Sequence, residues 1–133
     1  MIGAIIMLAY GIFSGSSKLT ASPLLLKHGI PLKLCGHKYI CSAVNVYYSL
    51  AQTKSSIGIT RDVYPEVARQ YDTTSQNVEK SIRHAVEICF LHGDINLIHK
   101  LFGNTINEVK GRATNSEFIT AITYWLAREA EEE

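Results

Sequence analysis

The sequence predicts an all-α domain of six helices that contains a helix-turn-helix. Apolar residues recur at helical spacing along most of the 133-residue chain, and proline is confined to Pro23, Pro31 and Pro65, which leaves long stretches free to coil. The best strand candidate, Thr105 to Val109, is too short and isolated to found a sheet. At 47% hydrophobic content the chain can fill one core without disulfide or metal support.

Taken in order, Lys18 to His28 reads as a short helix ended by Gly29, and Pro31 keeps the segment after it extended. From His37 to Gln52, Ile40, Val44, Tyr47, Tyr48 and Ala51 mark one apolar stripe of a central core helix. After a polar turn at Lys54 to Gly58, Thr60 is the expected N-cap of a helix that turns Val63, Val67 and Ala68 inward, with Pro65 tolerated near its first turn. Asp72, Thr73, Thr74 and Ser75 are cap-type residues ahead of an apolar face at Val78, Ile82, Val86, Cys89 and Phe90, which Gly93 ends. Two helices so closely spaced match a helix-turn-helix, here about residues 60 to 91. Ile95, Leu97, Ile98, Leu101 and Phe102 form a short apolar helix closed by Gly103. Thr114 and Glu117 then make a capping box ahead of Phe118, Ile122, Trp125 and Leu126.

Net charge is only +1, without the basic excess usual in nucleic-acid binders, but its distribution is uneven. Residues 1 to 116 hold twelve of the thirteen bases and seven of the twelve acids, a net +5 that the acidic end masks. Cys35, Cys41 and Cys89 are odd in number and not closely paired, which suits a reducing, cytoplasmic location and small buried hydrophobes. Cys35, His37 and Cys41 lack the second ligand pair of a structural zinc site, so no metal is expected. No nucleophile or carboxylate pattern surrounds His84, so neither catalysis nor a cofactor is expected. Met1 to Phe13 are uncharged and apolar, followed by a Ser14-Gly15-Ser16-Ser17 joint. That run falls short of the about 20 residues of a spanning helix. Residues 1–18 read as an appended segment without function, as an element packing on this domain or a second copy, or as a membrane anchor; 19–133 form the domain.

On the second helix of the motif, about 100° per residue places Asn77, Lys80, Ser81 and His84 opposite the core, with Gln76 and Arg83 at the flanks. Asn and Gln pair with adenine, and Lys and Arg with guanine, from a helix in the major groove. Thr73, Thr74 and Ser75 sit where hydroxyls and free backbone N–H groups hold a phosphate. The same pattern also fits an ordinary amphipathic helix whose polar face meets water.

The run from Val63 to Glu87, with Val63-Tyr64-Pro65-Glu66-Val67-Ala68 and Ser81-Ile82-Arg83-His84-Ala85 inside it, resembles the C-terminal effector domain of the stage-zero sporulation protein A family of response regulators. Gly29-Ile30-Pro31, Leu101-Phe102-Gly103 and Thr114-Asn115-Ser116-Glu117-Phe118 extend the resemblance from about residue 19 to residue 127. It implies a six-helix fold whose helix from near Thr74 enters the major groove of a short promoter box, often as tandem copies. Glu79, Arg83 and His84 coincide with polar residues of the family's recognition helix, Lys80 stands where an arginine is usual, and Glu79 is the orienting or cytosine-facing residue. Asn77 departs from the arginine that the family presents to a guanine, so a variant box or weaker binding is expected.

The resemblance also implicates Leu91 to Gly103 in contacting the sigma subunit of RNA polymerase, with His92, Asp94, Asn96, His99 and Lys100 as the partner-facing residues. Ile95, Ile98, Leu101 and Phe102 are expected to close the core. Lys110 and Arg112, on the loop before the last helix, are expected phosphate contacts. The sequence contains no phosphoacceptor receiver and is expected to be either an excised effector domain or a stand-alone relative that phosphorylation does not switch directly. The expected partners are double-stranded promoter DNA, the sigma subunit and a second copy on tandem sites, with no membrane. The alternative is a protein-interaction module, an antagonist that binds a sporulation regulator or sigma factor without productive promoter binding.

Overall fold

The computed structural model describes residues 18–103 and 111–132. Among them the chain forms six α-helices and no strand: α1 (Ser22–Lys27), α2 (Cys35–Ala51), α3 (Tyr64–Gln70), α4 (Ser75–His92), α5 (Ile95–Phe102) and α6 (Asn115–Glu132). The expected all-α class and helix order are therefore found. Thr105 to Val109, Lys110 and the N-terminal joint lie outside the described residues.

The helix ends follow local chemistry. At the end of α1 Gly29 takes φ +83°, the Ile30 N–H reaches the Leu25 carbonyl at 2.9 Å, and the Gly29 N–H reaches that of Leu26 at 3.1 Å. This is a Schellman closure, with Leu25 and Ile30 both fully buried as its apolar pair. The Thr74 hydroxyl accepts from the Asn77 N–H at 3.1 Å to cap α4. Before α6 the capping box is formed in both directions, from the Thr114 N–H to Glu117 Oε1 at 2.8 Å and from the Glu117 N–H to Thr114 Oγ1 at 3.1 Å.

Thr60 does not cap α3. A π-helical turn, Ile59–Val63, precedes that helix, and Asp62 accepts the Gly58 N–H at 2.8 Å. The Arg61 guanidinium, bonded to Asp62 at 2.8 Å, and then the Gly58 N–H hold the Asp62 carboxyl well below the usual carboxylate range. An acid two residues beyond Thr60 thus organises the turn, while Pro65 enters α3 in its first turn as expected.

Helix α2 lies at the centre, packed against α1, α3, α4 and α6. Its buried stripe runs through Tyr39, Ile40, Ala43 and Val44, whereas Tyr47 and Tyr48 are half-buried and Ala51 is exposed. Leu25, Val67, Val78, Ile82, Phe118, Ile119 and Ile122 are fully buried around it. Each such side chain contributes about 1.5–3 kcal/mol relative to exposure. The rings of Phe90, Phe102 and Phe118 follow one another at centroid separations of 5.6 and 5.8 Å, joining α4, α5 and α6. Ile98 and Phe102 enter the core from α5, but Ile95 is 60% exposed and does not close it as expected. Ile95 shares the helical face of Ile98 and Phe102 but is the first residue of α5, at the end of that buried face.

The cysteines also differ from one another. Cys35 is exposed and is not the buried hydrophobe expected, because it is the first residue of α2. Burial pushes the Cys41 thiol up to about 11 and the Cys89 thiol to about 12. His37 is occupied internally: its Nδ1 donates to the Ile30 carbonyl at 3.0 Å, and its Nε2 meets the Ser22 hydroxyl at 2.8 Å.

One close approach fixes the depth at which α2 crosses α4. A Cβ at Gly36 would stand 2.2 Å from the Ser81 carbonyl oxygen and 2.7 Å from the Ala85 Cβ, so nothing larger than glycine fits. Gly36→Ala is expected to lower unfolding free energy by roughly 1–3 kcal/mol through overpacking, read from urea titrations. In an open helix the same change stabilises by about 1 kcal/mol, so a gain in stability would sink this account. Iodoacetamide at pH 8 is expected to label Cys35 first and to reach Cys41 and Cys89 only on unfolding, as read by peptide mass; equal labelling of the three would contradict their burial.

Candidate nucleic-acid interface

Helix α4 buries Val78, Ile82, Ala85, Val86 and Cys89 and turns Gln76, Lys80, Arg83 and His84 to the surface. The exposed crest is centred on Lys80. Asn77 is exposed but leans toward α2: its Nδ2 donates to Thr73 Oγ1 at 2.9 Å and lies 3.4 Å from the Tyr39 hydroxyl. Ser81, on the same flank, is half-buried under Gly36.

The turn before α4 is compact. Asp72 takes φ +51° and the Thr73 N–H returns to the Ala68 carbonyl at 2.9 Å, which brings α3 and α4 together as a helix-turn-helix requires. Thr74 is exposed, while Thr73 and Ser75 are half-buried. Lys38 of α2 also reaches this corner, with its ammonium 5.5 Å from the Tyr39 ring centre and 5.1 Å from that of Tyr71. Such a contact is worth about 0.5–1 kcal/mol at an exposed site. The sequence reading did not single out Lys38, since its place beside the turn depends on contacts between residues far apart in the chain.

The other flank of α4 carries Glu79, Arg83 and Glu87. Arg83 pairs with Glu79 at 3.2 Å, with side chains 45% and 36% exposed. Arg112, from the segment before α6, stands 3.8 Å from Glu87. Neither pair is deeply buried, and ion pairs this exposed contribute about 1 kcal/mol or less. Among the described residues Lys38 and Lys80 make no ion pair.

Between this flank and the start of α6 lies an open cleft of about 290 Å³, whose wall includes Thr60, Tyr64, Glu79, Arg83, Arg112 and Asn115. Asn115 ties its floor together. The carboxamide Nδ2 donates to the Tyr64 hydroxyl and to the Glu79 carbonyl, each at 3.1 Å, while its buried Oδ1 has no hydrogen-bond partner among the described residues. Burial pushes the Tyr64 phenol up, with the Asn115 bond opposing it.

The expected partner-facing residues fall on the surface around α5. His92, Asp94, Asn96, His99 and Lys100 are all exposed. Asp94 is also the N-cap of α5, accepting the Asn96 N–H at 2.8 Å. Leu91 and Ile95 beside them are 74% and 60% exposed. Lys110, the other expected phosphate contact, lies outside the described residues.

Among the described residues no group of three or more His, Cys, Asp or Glu side chains could hold a metal ion. No helix among them is long and apolar enough to cross a membrane. The family described as the C-terminal part of sporulation initiation factor Spo0A matches residues 22–126, which spans α1 to all but the end of α6. With that span matched and the six-helix architecture in place, the chain belongs to the family of the Spo0A C-terminal, DNA-binding domain.

Proposed function

We propose that this domain is a sequence-specific transcription regulator of the sporulation type, which lays α4 in the major groove of promoter DNA. One observation carries the reading: Gln76, Lys80, Arg83 and His84 form a continuous exposed polar crest on a helix whose opposite face is buried. Lys80 and His84 stand at its centre as base-reading groups, and Arg83 contacts base or backbone. Glu79, at its flank, orients Arg83 through their ion pair. Thr73, Thr74, Ser75 and Arg112 serve the phosphate backbone on either side, and Lys110 joins them in this proposal.

Asn77 takes a different part from the arginine at this position in the family. Its carboxamide is already bonded to Thr73, so a contact from it to a base exchanges that bond for a new one. The consequence is a box that differs at the base this position reads. His92, Asp94, Asn96, His99 and Lys100 form the surface for the polymerase sigma subunit, and the domain works in the cytoplasm, as a pair of copies where sites are in tandem.

A second reading, a protein-interaction module, draws on the exposure of Leu91 and Ile95 beside the same polar group. Selection from a random duplex pool at two salt concentrations separates the two. Promoter reading enriches one short motif that persists at the higher salt, whereas retention without enrichment favours the interaction module. On the enriched motif Lys80→Ala is expected to cost roughly 1–3 kcal/mol and to relax selectivity at one base. Fluorescence anisotropy against the motif and its single-base variants measures both, and an unchanged preference at every base would remove Lys80 from the reading face.

A further inference from the structure

The cleft beside α4 has a composition the base-reading face does not account for. Two guanidinium groups from separate elements line it, Arg83 from the helix and Arg112 from the segment before α6. Each is held in the free domain by one exposed carboxylate contact, at 3.2 Å for Arg83 with Glu79 and 3.8 Å for Arg112 with Glu87. The longer contact exceeds hydrogen-bond distance, so Arg112 is restrained by charge alone. Pairs of this exposure are weak enough for a stronger anion to displace.

The other wall groups sort by chemistry. Thr60, Thr114 and Ser116 bring hydroxyls to the same cleft, and hydroxyls donate to phosphate oxygens. The Thr114 oxygen accepts from Glu117, which leaves its hydrogen free to donate outward. Glu79 and the unpartnered Asn115 Oδ1 are acceptors. Neither favours a phosphate; Glu79 holds the Arg83 guanidinium at 3.2 Å in the free domain, and each arginine keeps further N–H groups for a second acceptor. At about 290 Å³ the space is at the small end of ligand pockets, which run from about 300 Å³.

We propose that this cleft is a phosphate site, in which Arg83 and Arg112 close together on a single phosphate group. Resting on the DNA-binding reading above, the source we assign is one phosphodiester of the strand that runs along the α6 side of α4. The phosphodiester has two non-bridging oxygens, one for each arginine's fork, and Glu79 and Glu87 act as latches that hold the forks in the free domain. Specificity gains from this arrangement because the grip sets how far α4 turns in the groove.

The test is a double-mutant cycle on the DNA motif selected by the wild-type domain, with R83A, R112A and the double variant, each checked for a wild-type helical spectrum. Neutralising one phosphate contributes about 0.9 to the slope of log affinity against log salt. One shared phosphate predicts that the double variant loses about 0.9 in slope and scarcely more affinity than either single variant. Losses that multiply, with a slope drop of about 1.8, would place the two arginines on separate phosphates and overturn the clamp while leaving DNA binding intact. R112K, which keeps the charge and loses the fork, is expected to recover only part of the affinity lost in R112A.

A second arm follows the Arg83 and Arg112 Nε–H resonances while inorganic phosphate or a nucleoside monophosphate is added to the domain alone. Joint shifts of both, absent in either single variant, support a phosphate site. If the domain binds no DNA and both resonances still shift, the clamp holds for a free phosphate ligand and the DNA reading fails. If phosphate moves neither resonance and DNA shows no coupling between the arginines, the proposal is wrong.

Discussion

The close crossing of α2 over α4 at Gly36 is the constraint on which the rest of the domain depends. With no side chain there, the backbone of α2 sits directly on the Ser81 carbonyl and Ala85. Contacts then descend along α4 as they ascend along α2, so that Tyr39, one turn after Gly36, meets Asn77, one turn before Ser81. A helix buried on that line has only one face left for solvent, and its polar residues are gathered there. The geometry of the interface is therefore a consequence of core packing; surface charge alone does not set it.

A second set of contacts holds α4 from its other side. Asn115, the first residue of α6, bonds both the Tyr64 hydroxyl of α3 and the Glu79 carbonyl of α4. The capping box at Thr114 and Glu117 fixes where α6 begins, and that start decides where the Asn115 carboxamide points. A local interaction between neighbours in sequence is thereby converted into the relative placement of the two helices of the motif. Gly36 sets the depth of α4, and Asn115 sets its lateral position. Arg112, three residues before Asn115, is carried to the Glu87 flank by the same segment.

The fold was legible wherever its determinants are local. Gly29, Thr74, Gly93, Gly103 and the Thr114–Glu117 pair act on residues within one turn of themselves, and each marks a helix end where the pattern predicted one. The start of α3 was not legible, because a threonine ahead of an apolar run looks like a cap even when an acid two residues later bonds the backbone first. Ile95 shows the related failure: apolar spacing places it on the stripe of Ile98 and Phe102, but spacing does not say where along the helix the buried part of that stripe ends. For the interface, the crest of α4 follows from a period of 3.6 residues. Lys38 on its tyrosine pair, the tether of Asn77 to Thr73 and Tyr39, and the meeting of Arg112 with Glu87 join parts of the chain that no short pattern relates, apart from the neighbours Thr73 and Asn77.

Local charge also shows how a net +1 is compatible with the proposed docking of α4 on DNA. Counterion release scales with the number of phosphates that free cations neutralise, and it favours every DNA sequence alike. Around α4, Arg83 and Arg112 are matched by Glu79 and Glu87, whereas Lys38 and Lys80 have no carboxylate partner among the described residues. Long-range attraction to DNA is consequently small. In the proposed docking, the arginines add their charge only where a phosphate is placed well enough to replace a glutamate, and that placement follows from the seating of α4. On that reading, acids on the flank of α4 subtract more from indiscriminate binding than from binding at the right sequence, so that little excess charge favours discrimination.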